Sequence, residues 1–424
     1  MEKFDVTNDE ILPTTIDFFN TKPNLVAFQN SGLVEYPPIY PIGNGGPIRF
    51  RINSGQTYLD LSKTYLHTKF KVTKKEDGKF VPITNKDTVS FIQGFGATFI
   101  RNLKVSFNNR HVYHSNDLYA YDAYFRRRLG LGVSRKEGTL QSAGFFEDDL
   151  SQTSGTGFEA RRSLFENDQI FETICSIDAD IFRQPKLLVS QTIVDIEIDL
   201  HKQPFVLLTT GTEEYHYHLL DCNLYTKQHL LFPHIDYAIQ QKIENDNLVK
   251  YDYTQTVLKS FYINPGRYEF RTPLFNGYVP KRVFAALVDA KAFHGHVGMS
   301  PFEFAPHGIE TIHIRAVESF VPAFKYELGG KNLTRAFKDL NDATDEIHGI
   351  SYLKFKKHSC IFAFDIQSQH SEDFIETRQK GSTVITLQFK EAIPQNGLQL
   401  IIFAEFNSIM TMDRGIINTL PIQI

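Results

Sequence analysis

From about residue 50 onward, hydrophobic and polar positions alternate with a period of two. Leu66, Thr68, Phe70 and Val72 alternate with His67, Lys69 and Lys71. Leu103, Val105 and Phe107 alternate with Lys104 and Ser106, and Asn108-Asn109 follows as a turn. Val194, Ile196, Ile198 and Leu200 alternate with Asp195, Glu197 and Asp199, and Ile385, Leu387 and Phe389 with Thr386, Gln388 and Lys390. Successive side chains on a strand point to opposite faces, so each run sets one face on a core and one on water, as antiparallel sheets do. Residues 283–288, 360–366 and 398–406 are apolar at both parities. They read as central strands, packed on both sides or facing a subunit; burial under the protein's own helices or loops is the competing account.

Two helical stretches interrupt the alternation. One is expected to start at Ser115 as N-cap, with Asp117 in its first turn, a stripe of Leu118, Tyr121, Phe125 and Leu129, cations Arg126, Arg127 and Arg128 in its last turn, and Gly130 ending it. The other is expected over 333–347, with Leu333, Phe337, Leu340 and Ile347 on one stripe and Gly349 beyond it. The two start about half a chain apart. Each precedes a strand (174–181, then 360–366), a loop and an alternating strand (193–200, then 383–390). That order predicts two copies of one β unit, joined near Gly211, where Thr209-Thr210-Gly211-Thr212 breaks the pattern. Many strands, one helix per unit and long loops suit jelly rolls, and too few helices separate the strands for a parallel α/β sheet.

Residues 1–47 differ from the rest. Prolines 13, 23, 37, 38, 41 and 47 interrupt them, and Gly43-Asn44-Gly45-Gly46 ends them. Proline lacks the amide donor and fixes φ, which excludes a central strand or a long helix. Apolar residues Ile11, Leu12, Ile16, Phe18, Phe19, Leu25, Val26 and Phe28 are frequent for a tail, so an extended arm that docks on something is expected. The division is therefore 1–47 arm, 48–211 first jelly roll and 212–424 second jelly roll. The fold class is all-β: two tandem jelly-roll sandwiches with short inserted helices and an extended N-terminal arm.

Composition narrows the function more than the fold. Among the 424 residues, 45 Lys and Arg face 49 Asp and Glu, a net charge of −4, which argues against a DNA coat or a polybasic membrane binder. The 37 Phe and 19 Tyr, with no Trp, lean further toward pleated, half-buried surfaces. Cys175, Cys222 and Cys360 sit in apolar runs without metal-binding spacing, so three buried thiols are expected. The opening Met-Glu-Lys-Phe-Asp lacks a signal-peptide pattern and no long apolar run occurs, so neither a leader nor a membrane span is expected; the Asn332 sequon is then unused.

Catalytic signatures are missing: no phosphate loop, no HExxH, no GxSxG and no EF-hand loop. His216 and His218 share a strand face, as a metal site in a double-stranded β-helix enzyme would need, but strand parity sets Asp221 on the opposite face. His294 and His296 lie in a Gly-rich loop, and His111 and His114 flank Val112-Tyr113. Ordinary surface hydrogen bonding accounts for all three pairs. Arg161-Arg162 and Lys354-Phe355-Lys356-Lys357, where Lys354 and Lys356 share a strand face, read as solvated faces rather than a nucleic-acid groove; the acidic run Glu147-Asp148-Asp149 either pairs with such a patch on a neighbour or faces water. No catalytic, cofactor-binding or metal residue is assigned, and no cofactor is expected.

A set of collinear blocks adds to this. They are Tyr58-Leu59-Asp60-Leu61-Ser62-Lys63-Thr64-Tyr65-Leu66; Val105-Ser106-Phe107-Asn108-Asn109 with the Tyr/Arg-rich helix after it; and Phe145-Phe146-Glu147-Asp148-Asp149. Then come Asp178-Ala179-Asp180-Ile181-Phe182-Arg183-Gln184-Pro185-Lys186-Leu187-Leu188, and Leu274-Phe275-Asn276-Gly277-Tyr278-Val279-Pro280-Lys281-Arg282-Val283. Pro301-Phe302-Glu303-Phe304 closes the set, with Ser300 where the family pattern has Asn. In this order they resemble the major capsid (hexon-like) proteins of Polinton/Maverick elements and adintoviruses and their uncharacterised invertebrate relatives. The resemblance implies a double jelly roll and a structural, non-enzymatic role: self-assembly into homotrimers, pseudo-hexameric capsomers that tile an icosahedral shell. The implied partners are neighbouring capsomers and a penton or minor capsid protein, with no direct sequence-specific nucleic-acid contact. The implied location is the virion, and the host cell interior before assembly. On that reading the arm runs beneath a neighbouring subunit, and loops 144–157 and 274–279 form towers or lateral contacts. The alternatives are a non-capsid jelly-roll binding protein (a host-retained capsid descendant) and a cupin-like metal enzyme using His216 and His218.

Overall fold

A computed structural model describes residues 27–43, 46–149, 151–245, 248–329, 332–366 and 379–419. The prolines and apolar residues of the arm before Ala27 lie outside these. The first sandwich is built from β1 (Phe28–Tyr36), β2 (Ile48–Asn53), β3 (Tyr58–Glu76), β4 (Lys79–Pro82), β5 (Val89–Phe91), β6 (Ile100–Phe107), β7 (Arg110–His114), β8 (Phe171–Ser176), β9 (Ile193–Leu200), β10 (Leu207–Thr209) and β11 (Glu214–Leu231). One sheet runs β1-β11-β3-β4 with β8 also on β3; the facing sheet runs β2-β9-β6-β7, and β5 pairs with β10. The second sandwich uses β12 (Val249–Ile263), β13 (Glu269–Phe275), β14 (Arg282–Asp289), β15 (Ile309–Ala316), β16 (Ser319–Val321), β17 (Ile361–Asp365), β18 (Thr383–Phe389), β19 (Leu398–Asp413) and β20 (Ile416–Thr419). Its sheets run β12-β19-β14-β17, with β20 on β19, and β13-β18-β15-β16. The named strands pair antiparallel, and each pair of sheets closes as a jelly-roll sandwich.

Alternation works as the pattern predicts. In β2, Ile48, Phe50 and Ile52 are buried while Arg49 and Arg51 face out, where they meet Glu197 and Asp195 across the strand pair at 2.9 and 2.6 Å. Such exposed pairs set register more than stability, at roughly 0.2–1 kcal/mol each. The β6–β7 turn places Asn108 and Asn109 at φ 47° and 64°, the positive values a tight hairpin turn requires and asparagine tolerates. All three cysteines are buried and unpaired.

Several expectations are corrected. The sandwiches change over after Leu231 and not at Gly211, because β11 pairs along β3 from Glu214 to His229. Of the arm, β1 is an edge strand on β11, a position that Gly32 within it and Pro37-Pro38 after it allow. Ser115 does not cap the first helix. Its hydroxyl accepts from Leu103 N (2.8 Å) and donates to Asn102 (2.9 Å), and the helix spans Tyr119–Gly130. The expected 174–181 strand ends at Ser176, and a single turn, Asp180–Arg183, follows. The second helix is shorter, Thr334–Ala343, with Ile347 exposed beyond it. Lys354–Lys357 are helical, not strand, in Tyr352–Lys357, where Ser351 accepts from Lys354 N; four alternating residues are too few to separate the two periods. The strand β17 is not central: its only ladder partner among the described residues is β14, and its burial comes from the Thr334–Ala343 helix packed on it.

Candidate functional site

The two sandwiches meet on the Tyr119–Gly130 helix. Every residue from Tyr119 to Leu129 is buried, so this helix has no solvent stripe, the mark of an element packed on all sides. Toward the first sandwich, Tyr119 Oη accepts from Asp178 N at 2.9 Å, and the Tyr113 hydroxyl of β7 donates to Asp122. Toward the second, Tyr121 stacks on Phe293 (5.5 Å between centroids), Tyr124 on Phe302 (4.3 Å) and Phe125 on Phe403 (5.5 Å). Phe403 belongs to β19, which explains why 398–406 is apolar at both parities. One face lines its own sandwich and the other receives this helix, so the chain's own burial, not a subunit, accounts for the pattern.

Three consecutive arginines are buried in this seam, each with a carboxylate from another segment. Arg126 bridges Asp122 on its own helix and Asp180, whose second oxygen accepts from Thr256 N of β12 at 2.9 Å. Arg127 pairs with Asp178 and donates to Ser176 O (3.2 Å) and Cys175 Sγ (2.8 Å). Arg128 pairs with Glu147, which also takes Lys354 from the second sandwich at 3.0 Å. Burial, opposed by the Arg126 guanidinium, leaves the Asp122 carboxyl raised to about 6, so the pair is ionised at neutral pH. Arg128 and Lys354 hold Glu147 below the usual carboxylate range against its own desolvation. Burial lifts the Cys175 thiol to about 11, so it is an inert neighbour and not a nucleophile.

Beside this run lies Arg161, a fully buried arginine. It donates to Phe91 O (2.9 Å), Gln93 Oε1 (3.1 Å), Phe146 O (3.2 Å), Asp148 Oδ1 (2.9 Å) and Gln152 O (3.2 Å). Gln152 carries the link onward, donating to Phe302 O (2.9 Å) and accepting from Ser300 Oγ (2.6 Å). Gly157 makes room for this: a Cβ there would sit 2.8 Å from Glu147 O. Loop 144–157 is thus no tower, since Phe145, Asp148 and Gln152 are buried. Loop 274–279 likewise buries Leu274, Phe275 and Val279.

Four of the sequence blocks therefore converge. The Tyr/Arg helix, Glu147-Asp148-Asp149, Asp178-Ala179-Asp180 and Pro301-Phe302-Glu303-Phe304 are separate in sequence and adjacent at the seam. Sequence reasoning placed Arg126–Arg128 at an exposed helix end and gave Arg161 no role. The acidic residues set among apolar neighbours at 147–149 and 178–180 were the available signal for buried partners.

Lys136 completes the seam. It is 2% exposed, and its ammonium donates to the carbonyl oxygens of Arg128 (2.9 Å) and His348 rather than to a carboxylate. Burial, then nearby Arg128, pushes it down to about 7. Its folded pKa is thus below its unfolded one, so the unfolded chain binds the proton more tightly and stability rises with pH between about 7 and 10. Replacing Lys136 by methionine should remove this slope: between pH 7 and 9 the wild type gains about 2 kcal/mol over the variant. Paired urea titrations at the two pH values measure it, and equal slopes would refute the assignment.

The histidine candidates do not assemble. His216 and His218 flank the Phe80 ring on the outer sheet face; His216 bonds Glu214 (2.8 Å) and His218 bonds Thr73 (2.8 Å). A bulge between Leu219 and Asp221 overturns the parity argument and turns Asp221 to their side. Even so, no group of three metal-ligating side chains forms among the described residues. His111 bonds Ser106 at 3.0 Å, and His296 accepts from Gly298 N at 3.1 Å. A cavity of about 190 Å³ opens at the seam beside Arg126, Arg183, Arg282 and Phe403. Its arginines are committed: Arg282 to Glu405 (2.7 Å), Arg183 to Asp178 (3.1 Å). The chemistry of the seam is cohesion.

No protein-family model matches the chain. A curated protein of Caenorhabditis elegans described as uncharacterized is 25% identical over 414 residues, covering 93% of this chain and 95% of that protein. Among solved structures, a chain of the Sputnik virophage particle superposes with a TM-score of 0.65 at 10% identity, over 99% of this chain and 94% of its own. The PBCV-1 virus capsid gives 0.60 at 9% identity, over 95% and 99%. The mavirus major capsid protein gives 0.58 at 11% identity, over 100% and 97%. These likenesses show the fold: this chain has the double jelly roll of major capsid proteins.

Proposed function

We propose that this chain is a major capsid protein that closes as a homotrimer and tiles an icosahedral shell. The observation that carries the reading is the seam. Buried ion pairs and stacked rings join two similar sandwiches into one block, and a shell tile needs that rigidity between its halves. Three such blocks around a threefold axis offer six similar corners to a hexagonal lattice. The convergence of four of the collinear blocks on the seam supports a protein of the Polinton/Maverick–adintovirus type, because residues that carry the resemblance are the ones that join the two sandwiches here. Neighbouring capsomers and a penton or minor capsid protein are the proposed partners, the virion the proposed location, and the role is non-enzymatic. Among the described residues no helix is long and apolar enough to cross a membrane.

The nematode relative supports a second reading, in which a host genome retains the fold without a shell. One measurement separates the two. Native mass and electron microscopy of the full-length protein should give a trimer with a hexagonal outline; a stable monomer at micromolar concentration would overturn the capsid reading and leave the retained descendant.

A further inference from the structure

The strand β1 is only partly covered by its own chain: Phe28, Val34 and Tyr36 are half-buried, and Tyr36 packs against the core. Of its nine residues none is fully buried, and Leu33 is 53% exposed. It is held by its backbone ladder to β11, from Phe28↔Leu231 to Tyr36↔Leu224, and by a few side-chain contacts. Ser31 bonds His229 at 2.6 Å, Phe28 packs on the His229 ring at 4.8 Å, and Tyr36 takes a hydrogen bond from Gln228. A strand with no fully buried side chain gains little apolar stabilisation, so its pairing is easily undone. The connection from β1 to β2 is equally loose. Cavities of about 720 and 410 Å³ flank Tyr40, which is 63% exposed, and Ile39 N to Arg49 O (2.8 Å) is the backbone tie to β2. Pro37, Pro38 and Pro41 fix φ early in this connection, and Gly43 takes φ 125°, a conformation that suits glycine. Fully extended, a connection of this length reaches on the order of 35 Å.

We propose that β1 is an exchangeable arm: in the assembled protein it leaves its own β11 and pairs in the same antiparallel register with β11 of a neighbouring copy. This rests on the self-assembly reading above. The occupant is a second copy of this chain because the β11 edge already matches this strand residue for residue, and an identical strand is what a neighbour supplies. Exchange remakes every hydrogen bond it breaks, so only the connection and the local concentration of neighbours decide its direction. Each copy gives one arm and receives one, a head-to-tail contact that closes around a threefold axis.

The test uses the full-length protein with Leu33→Cys and Lys227→Cys, which face each other across the β1–β11 pair. The native cysteines are buried and stay out of reach. The oxidised sample is weighed natively, then denatured without reductant. Exchange predicts covalently linked chains up to the mass of the native oligomer, absent from either single variant. Bonds closed within single chains, in a sample that is natively an oligomer, would overturn the exchange and leave the capsid reading standing; a native monomer would overturn both. Deleting residues 1–36 gives an independent readout. Exchange predicts a folded protein whose apparent oligomer dissociation constant rises at least about tenfold, and an unchanged constant would overturn it.

Discussion

Replacing Arg161 by methionine should cost about 3–5 kcal/mol of stability, the range for removing one partner of a buried ion pair. Methionine fills much of the space but donates nothing. Five acceptors lose a donor at once, among them the backbone oxygens of Phe91, Phe146 and Gln152, and Phe146 O keeps only Gln93 Nε2. Asp148 is left 2% exposed without its guanidinium; burial has already raised its carboxyl to about 6, and without Arg161 it would be neutral at pH 7. Loop 144–157 would then detach from both sandwiches, because Gln152 links it to Phe302. Chemical denaturation should show the lowered midpoint, and proteolysis should cut first within that loop. A double variant that also turns Asp148 to leucine should recover part of the loss, since it deletes the buried carboxyl left without its partner. A single variant within about 1 kcal/mol of the wild type would mean that the arginine is dispensable.

Arg126→Leu should cost a similar amount, about 3–5 kcal/mol, and change the manner of unfolding as well. Arg126 neutralises Asp122 and Asp180 together, and Asp180 also holds Thr256 N of the second sandwich. Its guanidinium further lies over the Phe403 ring at 5.7 Å. With it gone, two buried carboxylates repel across the joint, and the two sandwiches lose a shared anchor. Calorimetry should show one transition for the wild type and two, one per sandwich, for the variant. Arg126→Lys keeps the charge but not the planar fork that reaches two carboxylates, so it should fall between. A single transition at the wild-type temperature would show that Arg126 does not couple the halves.

Much of the architecture is visible in local pattern. A strand needs only neighbouring residues to declare its two faces, and β2, β3, β6, β9 and β18 declare them by alternation. The paired asparagines mark the hairpin, because few other residues accept positive φ there. Two units separated by half a chain follow from the order of elements alone. The bulge in β11 could not be seen. One inserted residue reverses every later parity, and nothing in His218-Leu219-Leu220-Asp221 announces it.

By itself, then, the sequence determined an antiparallel, two-unit β protein with three buried thiols and blocks resembling those of capsid proteins. It did not determine what those blocks do. A run of arginines closing a helix looks the same whether water or a carboxylate faces it, and the deciding partners, Glu147, Asp178 and Asp180, come from other loops. The polar loop 144–157 reads as surface until Arg161 satisfies it from inside. Only tertiary structure decided these points, and for one reason: burying a charge depends on what stands opposite it, and in this chain that residue belongs to another segment.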